Sequence, residues 1–179
     1  MDRRAAIRNC FIITAGAALL PSCMQEKSKS GLLLKNIKVS GGQEQLMAEL
    51  TEAIIPTTDT PGAKDVGAHL FALMMVDDCY KPEDQELFMT GLKQFEELTK
   101  EKYRKSFSDI TQAQRNELLA EMEAKKEEKD NAAISFYHST RGLTIQCFTG
   151  SKYYLTKVQV YEMVPGRFHG CVPVKTIKA

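Results

Sequence analysis

Residues with the chemistry to act as ligands or catalysts are few and scattered in this chain of 179 residues: three histidines and five cysteines. The densest group is Asp77-Asp78-Cys79, with His69 two helical turns earlier. Carboxylates beside a thiol and an imidazole could hold a metal ion or exchange protons with a substrate. On one helix, however, His69 and Asp77 share a face but stand about 12 Å apart along the axis. A common ligand would need another element to close in. His138 and His169 have no companion at a spacing that local sequence reveals. No C-x-x-C pair, haem attachment or zinc spacing occurs, and neither a P-loop nor a Gly-rich dinucleotide fingerprint is present. The reading is of a chain that is not an enzyme by itself, with no catalytic, cofactor-binding or metal-binding residues of its own.

Two of the cysteines belong to the N-terminus. Arg3 and Arg4 precede the apolar run Cys10-Phe11-Ile12-Ile13-Thr14-Ala15-Gly16-Ala17-Ala18-Leu19-Leu20. Eleven residues fall short of the roughly 20 that span a bilayer as a helix. A cationic start, a short apolar stretch and small residues afterwards are the layout of a signal peptide. The adjacent arginines point to twin-arginine export, although Ala5-Ala6-Ile7-Arg8 matches that signal loosely and the general secretory route is the alternative. Leu20-Pro21-Ser22-Cys23 resembles a bacterial lipobox, with Cys23 as the lipidated first residue of the mature chain. Residues 1–22 are thus read as signal peptide, 23–40 as a polar tether and 41–179 as the folded domain. The protein is expected in the cell envelope, facing the periplasm and held to a membrane by its lipid.

Cys79, Cys147 and Cys171 remain in the domain. Three buried or half-buried free thiols are expected, with Cys147–Cys171 the one pair worth testing. Apolar residues make up 43% and charged residues 26%, enough to build a packed core. The net charge is only +1, and the leader carries the cationic excess. A basic face for nucleic acid is therefore missing.

Periodicity predicts an all-α domain of five or six helices. Ser40 and Gln43 form a capping box, and Leu46, Leu50, Ala53 and Ile54 then mark one face of a helix that Pro56 stops. Thr57 to Ala63 is turn chemistry, with φ fixed at Pro61 and free at Gly62. Asp65 is read as the cap of a second helix to about Tyr80, with Val66, Leu70, Leu73, Met74 and Asp77 along one side. Pro82 opens a third helix, with Leu87, Gly91, Phe95, Leu98 and Lys102 along one edge of its stripe and Phe88 and Leu92 widening it. Thr111 and Gln114 form another capping box. A further helix runs from about Ala132 to Phe148. Residues 150–163 fit helix or extended chain, and the stretch from Val164 to Pro173 is a non-helical tail.

Two segments together resemble the gluconate 2-dehydrogenase subunit 3 family. They are Glu52-Ala53-Ile54-Ile55-Pro56-Thr57-Thr58-Asp59-Thr60-Pro61-Gly62-Ala63 and Pro165-Gly166-Arg167-Phe168-His169-Gly170-Cys171. The resemblance covers roughly residues 44–173. It implies the small subunit of an envelope sugar or sugar-acid dehydrogenase. In that family the large subunit is a flavoprotein carrying FAD and the catalysis, and a cytochrome c often takes the electrons onward. The small subunit is read as an export escort that stays bound. The alternative is a stand-alone envelope lipoprotein with another partner.

Pro56, Thr57, Asp59, Pro61 and Gly62, with Pro165, Gly166, Arg167, Phe168, Gly170 and Cys171, are the candidate partner interface. Rigid Pro/Gly loops lose little entropy on docking, and arginine and aromatic residues anchor interfaces. The same segments could instead serve the fold alone, the loop turning the chain and the tail packing across the helices.

Overall fold

A computed structural model of the chain describes residues 33–127, 131–159, 166 and 171. The expectations for Arg3, Arg4, Cys23, Pro165, Arg167, Phe168 and Gly170 lie outside the described residues. Five α-helices follow in order: α1 (Gly41–Ile54), α2 (Ala68–Cys79), α3 (Pro82–Tyr103), α4 (Gln112–Ala124) and α5 (Ala132–Thr149). A π-helical turn, Tyr154–Val158, ends the series, and no strand occurs among the described residues. The all-α expectation holds. No helix among them is long and apolar enough to cross a membrane.

Local chemistry sets most helix starts. Ser40 and Gln43 exchange the two bonds of a capping box at the head of α1, at 3.0 and 3.3 Å. Thr111 and Gln114 repeat the arrangement at α4. Pro82 occupies the first turn of α3, where its missing N–H costs nothing. The Asn131 side chain accepts from Ala133 and Ile134 at the start of α5.

The start of α2 departs from expectation. Asp65 does not cap it; the helix begins at Ala68, after Gly67 in the left-handed region at φ 72°. The Asp65 carboxylate is committed to the preceding loop instead.

α5 is the central helix, packed chiefly on α3 and α2. The close approach of α3 depends on Gly91, because a Cβ there would lie 2.2 Å from the Ala132 carbonyl oxygen and 2.6 Å from Phe136 Cβ. Around this contact Phe136 meets Phe88 edge-on at 4.9 Å and Phe95 at 5.7 Å. Phe95 in turn packs on Phe107, which the connection between α3 and α4 supplies.

Two apolar stripes are rotated from their predicted positions. α3 buries Phe88, Gly91, Leu92, Phe95 and Thr99, leaving Leu87 45% exposed. α2 buries Ala68, Ala72, Leu73, Val76 and Asp77, while Met74 is 43% exposed. α2 is apolar around much of its circumference and α3 carries a wide stripe, so the neighbouring helices decide which flank of each is buried.

The segment before α1 is packed rather than free. Ile37 is buried in the core, and Leu34 and Val39 lie against it. The folded unit thus takes in the end of the stretch read as tether. The agent is Asp77, buried near the end of α2. Its Oδ2 accepts from the Lys35 N–H at 2.8 Å, and its Oδ1 from those of Asn36 and Ile37 at 2.7 and 2.8 Å. The Asn36 side chain donates back to the Asp77 carbonyl at 2.7 Å. Burial works to raise the Asp77 pKa, but these three N–H groups, helped by the Lys35 charge, hold the carboxyl below the usual aspartate range.

Candidate functional site

The chain between α1 and α2 is pinned from both flanks by carboxylates. Glu52, in the last turn of α1, accepts from the Thr57 N–H at 2.7 Å and from the Lys64 N–H at 3.2 Å. Asp65 Oδ2 accepts from the Thr57 hydroxyl at 2.9 Å and from the Gly62 N–H at 3.0 Å. Across the base, the Ala63 N–H donates to the Ile55 carbonyl at 2.9 Å. At the tip, the Thr58 N–H donates to the Thr60 carbonyl at 3.0 Å. The Gly62 N–H first, then the Thr57 hydroxyl, hold the Asp65 carboxyl below its ordinary value.

This network explains Gly62 differently from turn geometry. A Cβ there would meet Thr57 Oγ1 at 2.5 Å, the Thr57 nitrogen at 2.6 Å and Glu52 Oε2 at 2.7 Å. Glycine is needed because the loop folds back on its own stem. Gly62 itself is buried, whereas Pro56, Thr57, Thr58, Asp59 and Thr60 are exposed. The Asp59 side chain takes no part in the bonds that close the loop.

A second ring of charge ties the loop's base to the bundle. Glu49 accepts from Lys64 Nζ at 2.9 Å and from Arg115 at 2.8 Å. Arg115 also donates to the Phe107 and Ser108 carbonyls, at 3.2 and 2.8 Å, and its guanidinium lies over the Phe107 ring. Burial raises the Glu49 pKa, but the two cations outweigh it and the net shift is downward. Beside the end of α1 a cleft of about 330 Å³ opens between Ile54, Leu119, Glu123, Tyr137 and Arg141. This cleft is invisible in the sequence, because its walls come from three helices, α1, α4 and α5, that only the fold brings together.

The structure disperses the group formed by His69, Asp77, Asp78 and Cys79. Asp77 is saturated by the arm before α1, and Cys79 lies exposed with its Sγ 4.0 Å from Met75 Sδ. His69 is half-buried with Nδ1 unpartnered; burial lowers its pKa, and the nearby Lys64 charge adds to the effect while Glu44 opposes it. Among the described residues no three His, Cys, Asp or Glu side chains are grouped to hold a metal ion.

Cys79, Cys147 and Cys171 are free thiols. Only Cys147 is half-buried as expected; Cys79, the last residue of α2, and Cys171 are exposed. Burial pushes the Cys147 thiol pKa up, which makes it a poor nucleophile. Of the tail residues named for the interface, Gly166 and Cys171 are described, and both are exposed.

No curated protein and no solved structure matches the chain. The family model for gluconate 2-dehydrogenase subunit 3 matches residues 42–166, a stretch that runs from the second residue of α1 through the pinned loop and the four later helices. The chain belongs to the gluconate 2-dehydrogenase subunit 3 family.

Proposed function

We propose that this protein is a non-catalytic accessory subunit of a periplasm-facing, FAD-dependent sugar or sugar-acid dehydrogenase. It escorts a larger flavoprotein through export and then anchors it to the membrane. The observation that carries this reading is the loop from Pro56 to Pro61, an exposed surface held rigid by bonds from its own stem. A preorganised loop of this kind gives up little entropy when a partner covers it. Family membership supplies the kind of complex.

The division of labour follows from the sequence. Arg3 and Arg4 head the export signal, and Cys23 carries the lipid that holds the complex to the membrane. FAD belongs to the large subunit, and a cytochrome c subunit is the natural recipient of its electrons.

The test is purification of the tagged chain from gently solubilised native membranes, followed by mass spectrometry and a visible spectrum. A co-purifying flavoprotein without a leader of its own, with flavin absorbance, is the expected result. A colourless chain recovered alone, or with unrelated envelope proteins, overturns the proposal in favour of a stand-alone lipoprotein. Mass analysis of the mature N-terminus checks the anchor separately: an unmodified Cys23 removes the anchoring role and leaves the partner question intact.

A further inference from the structure

We infer that the end of the bundle where the arm enters rests on the membrane surface, with Leu33 at the boundary between lipid headgroups and acyl chains, and that the pinned loop faces the opposite way. The inference rests on the anchoring role proposed for Cys23 and adds to it which end of the domain the lipid draws down.

The direction is set by the arm. Asp77, near the end of α2, holds the Lys35, Asn36 and Ile37 N–H groups, and Ile37 is buried in the core. The chain arriving from Cys23 therefore enters the folded unit at one fixed place, beside the end of α2 and the start of α3. α1 leads away from that place and α2 returns to it, with the loop from Pro56 to Pro61 between them. The 14 residues of α1 cover about 21 Å, so arm and loop stand at opposite poles. Ten residues lead from Cys23 to Leu33, a reach of at most about 35 Å. A body tied this closely by one pole keeps that pole toward the surface that holds the tie.

Leu33 supplies the contact. Ile37 lies in the core and Leu34 and Val39 pack against it, whereas Leu33 is 99% exposed. An isolated leucine on a surface is ordinary; this one stands where the tether meets the domain. Entering the lipid boundary there removes its apolar surface from water. The Lys35 side chain, 83% exposed, can lie along the same boundary with its ammonium among the headgroups.

Charge does not select the lipid. Among the exposed residues of this pole, Lys35, Lys38 and Lys81 are offset by Asp78, Glu83 and Asp84, and Lys35 approaches Asp78 to 4.0 Å. The occupant is thus the lipid boundary itself, whether its headgroups are anionic or neutral overall.

The test places the mature full chain, purified from native membranes, in phosphatidylcholine vesicles with an acceptor dye on some headgroups. With Cys147→Ala and Cys171→Ser, a donor dye is attached to native Cys79, the exposed last residue of α2. Adding Cys79→Ser and Asp59→Cys moves the donor to the loop tip. Energy transfer should be at least about threefold more efficient from Cys79, given the roughly 21 Å between the poles. Leu33→Ser, at a position that packs on nothing, keeps the fold and should lower transfer from Cys79 while raising it from the loop tip. Equal transfer from the two positions, or stronger transfer from the loop, overturns the inference. So does a contrast that Leu33→Ser leaves unchanged, or one that appears only when anionic lipid is added. Mass analysis separates the two failures: a lipidated Cys23 without contrast overturns the orientation and keeps the anchor, whereas an unmodified Cys23 overturns both.

Discussion

Two segments of this protein are held by side-chain carboxylates that accept from backbone N–H groups, and they differ in what the bonds accomplish. The arm at Lys35–Ile37 ends on Asp77, with Ile37 and Asp77 both buried. The loop between α1 and α2 ends on Glu52 and Asp65, with most of its length in water. Water can replace the partners of an exposed donor but not those of a buried one. The arm's bonds therefore contribute to global stability, while the loop's bonds define a shape. A surface meant for a partner is best made the second way, rigid and yet cheap to modify without unfolding the domain.

The largest loss is expected at Asp77. Asp77→Ala strands three N–H donors and should cost about 2–4 kcal/mol, read as a lower urea midpoint with faster exchange at Lys35–Ile37. The pH dependence has a definite sign. Because the folded pKa of Asp77 lies below the unfolded one, its contribution is complete above about pH 4–5. It fades as pH falls toward the folded value, since the unfolded chain takes up the proton first. His69, also lowered in the folded state, adds an earlier loss that begins below about pH 6.5. Unfolding curves between pH 7 and 2 should show both slopes, and Asp77→Asn should flatten the lower one.

Gly62→Ala comes next. Its Cβ would clash with the Thr57 backbone and with Glu52, so the loop must open, at about 1–3 kcal/mol. Recovery of the partner should fall further than that stability change explains; retained recovery would show that the loop's shape is not what a partner reads.

Asp65→Ala sharpens the contrast with Asp77. Two lost bonds at an exposed carboxylate should leave the unfolding midpoint nearly unchanged while hydrogen exchange accelerates at Gly62. A midpoint drop comparable to that of Asp77→Ala would remove the distinction between the two regions. The smallest structural effect belongs to Asp59→Ala, which touches neither network. Stability and loop exchange should be unchanged, so reduced partner recovery from this variant would report direct contact at the loop tip.

The parts legible in the sequence were those set by neighbours in the chain. Both capping boxes, Pro82 at the head of α3, and the stop at Pro56 involve residues within one helical turn, where spacing alone decides geometry. The loop between α1 and α2 was legible as a loop for the same reason. Its construction was not: Gly62 looked like a residue chosen for free φ, and Asp65 like a helix cap. Both roles are fixed instead by Thr57 and Glu52 folding back onto them.

Asp77 shows the limit most clearly. Beside Asp78 and Cys79 it looked like a member of a reactive group, yet its partners lie about forty residues earlier in the chain. Sequence by itself determined the helical class, most helix starts and the family, because these are local patterns. Tertiary structure alone decided which faces of α2 and α3 are buried and where Asp77 and Asp65 spend their charge. Those outcomes depend on which distant segments come into contact, and burial then determines which of the new contacts cannot be replaced by water.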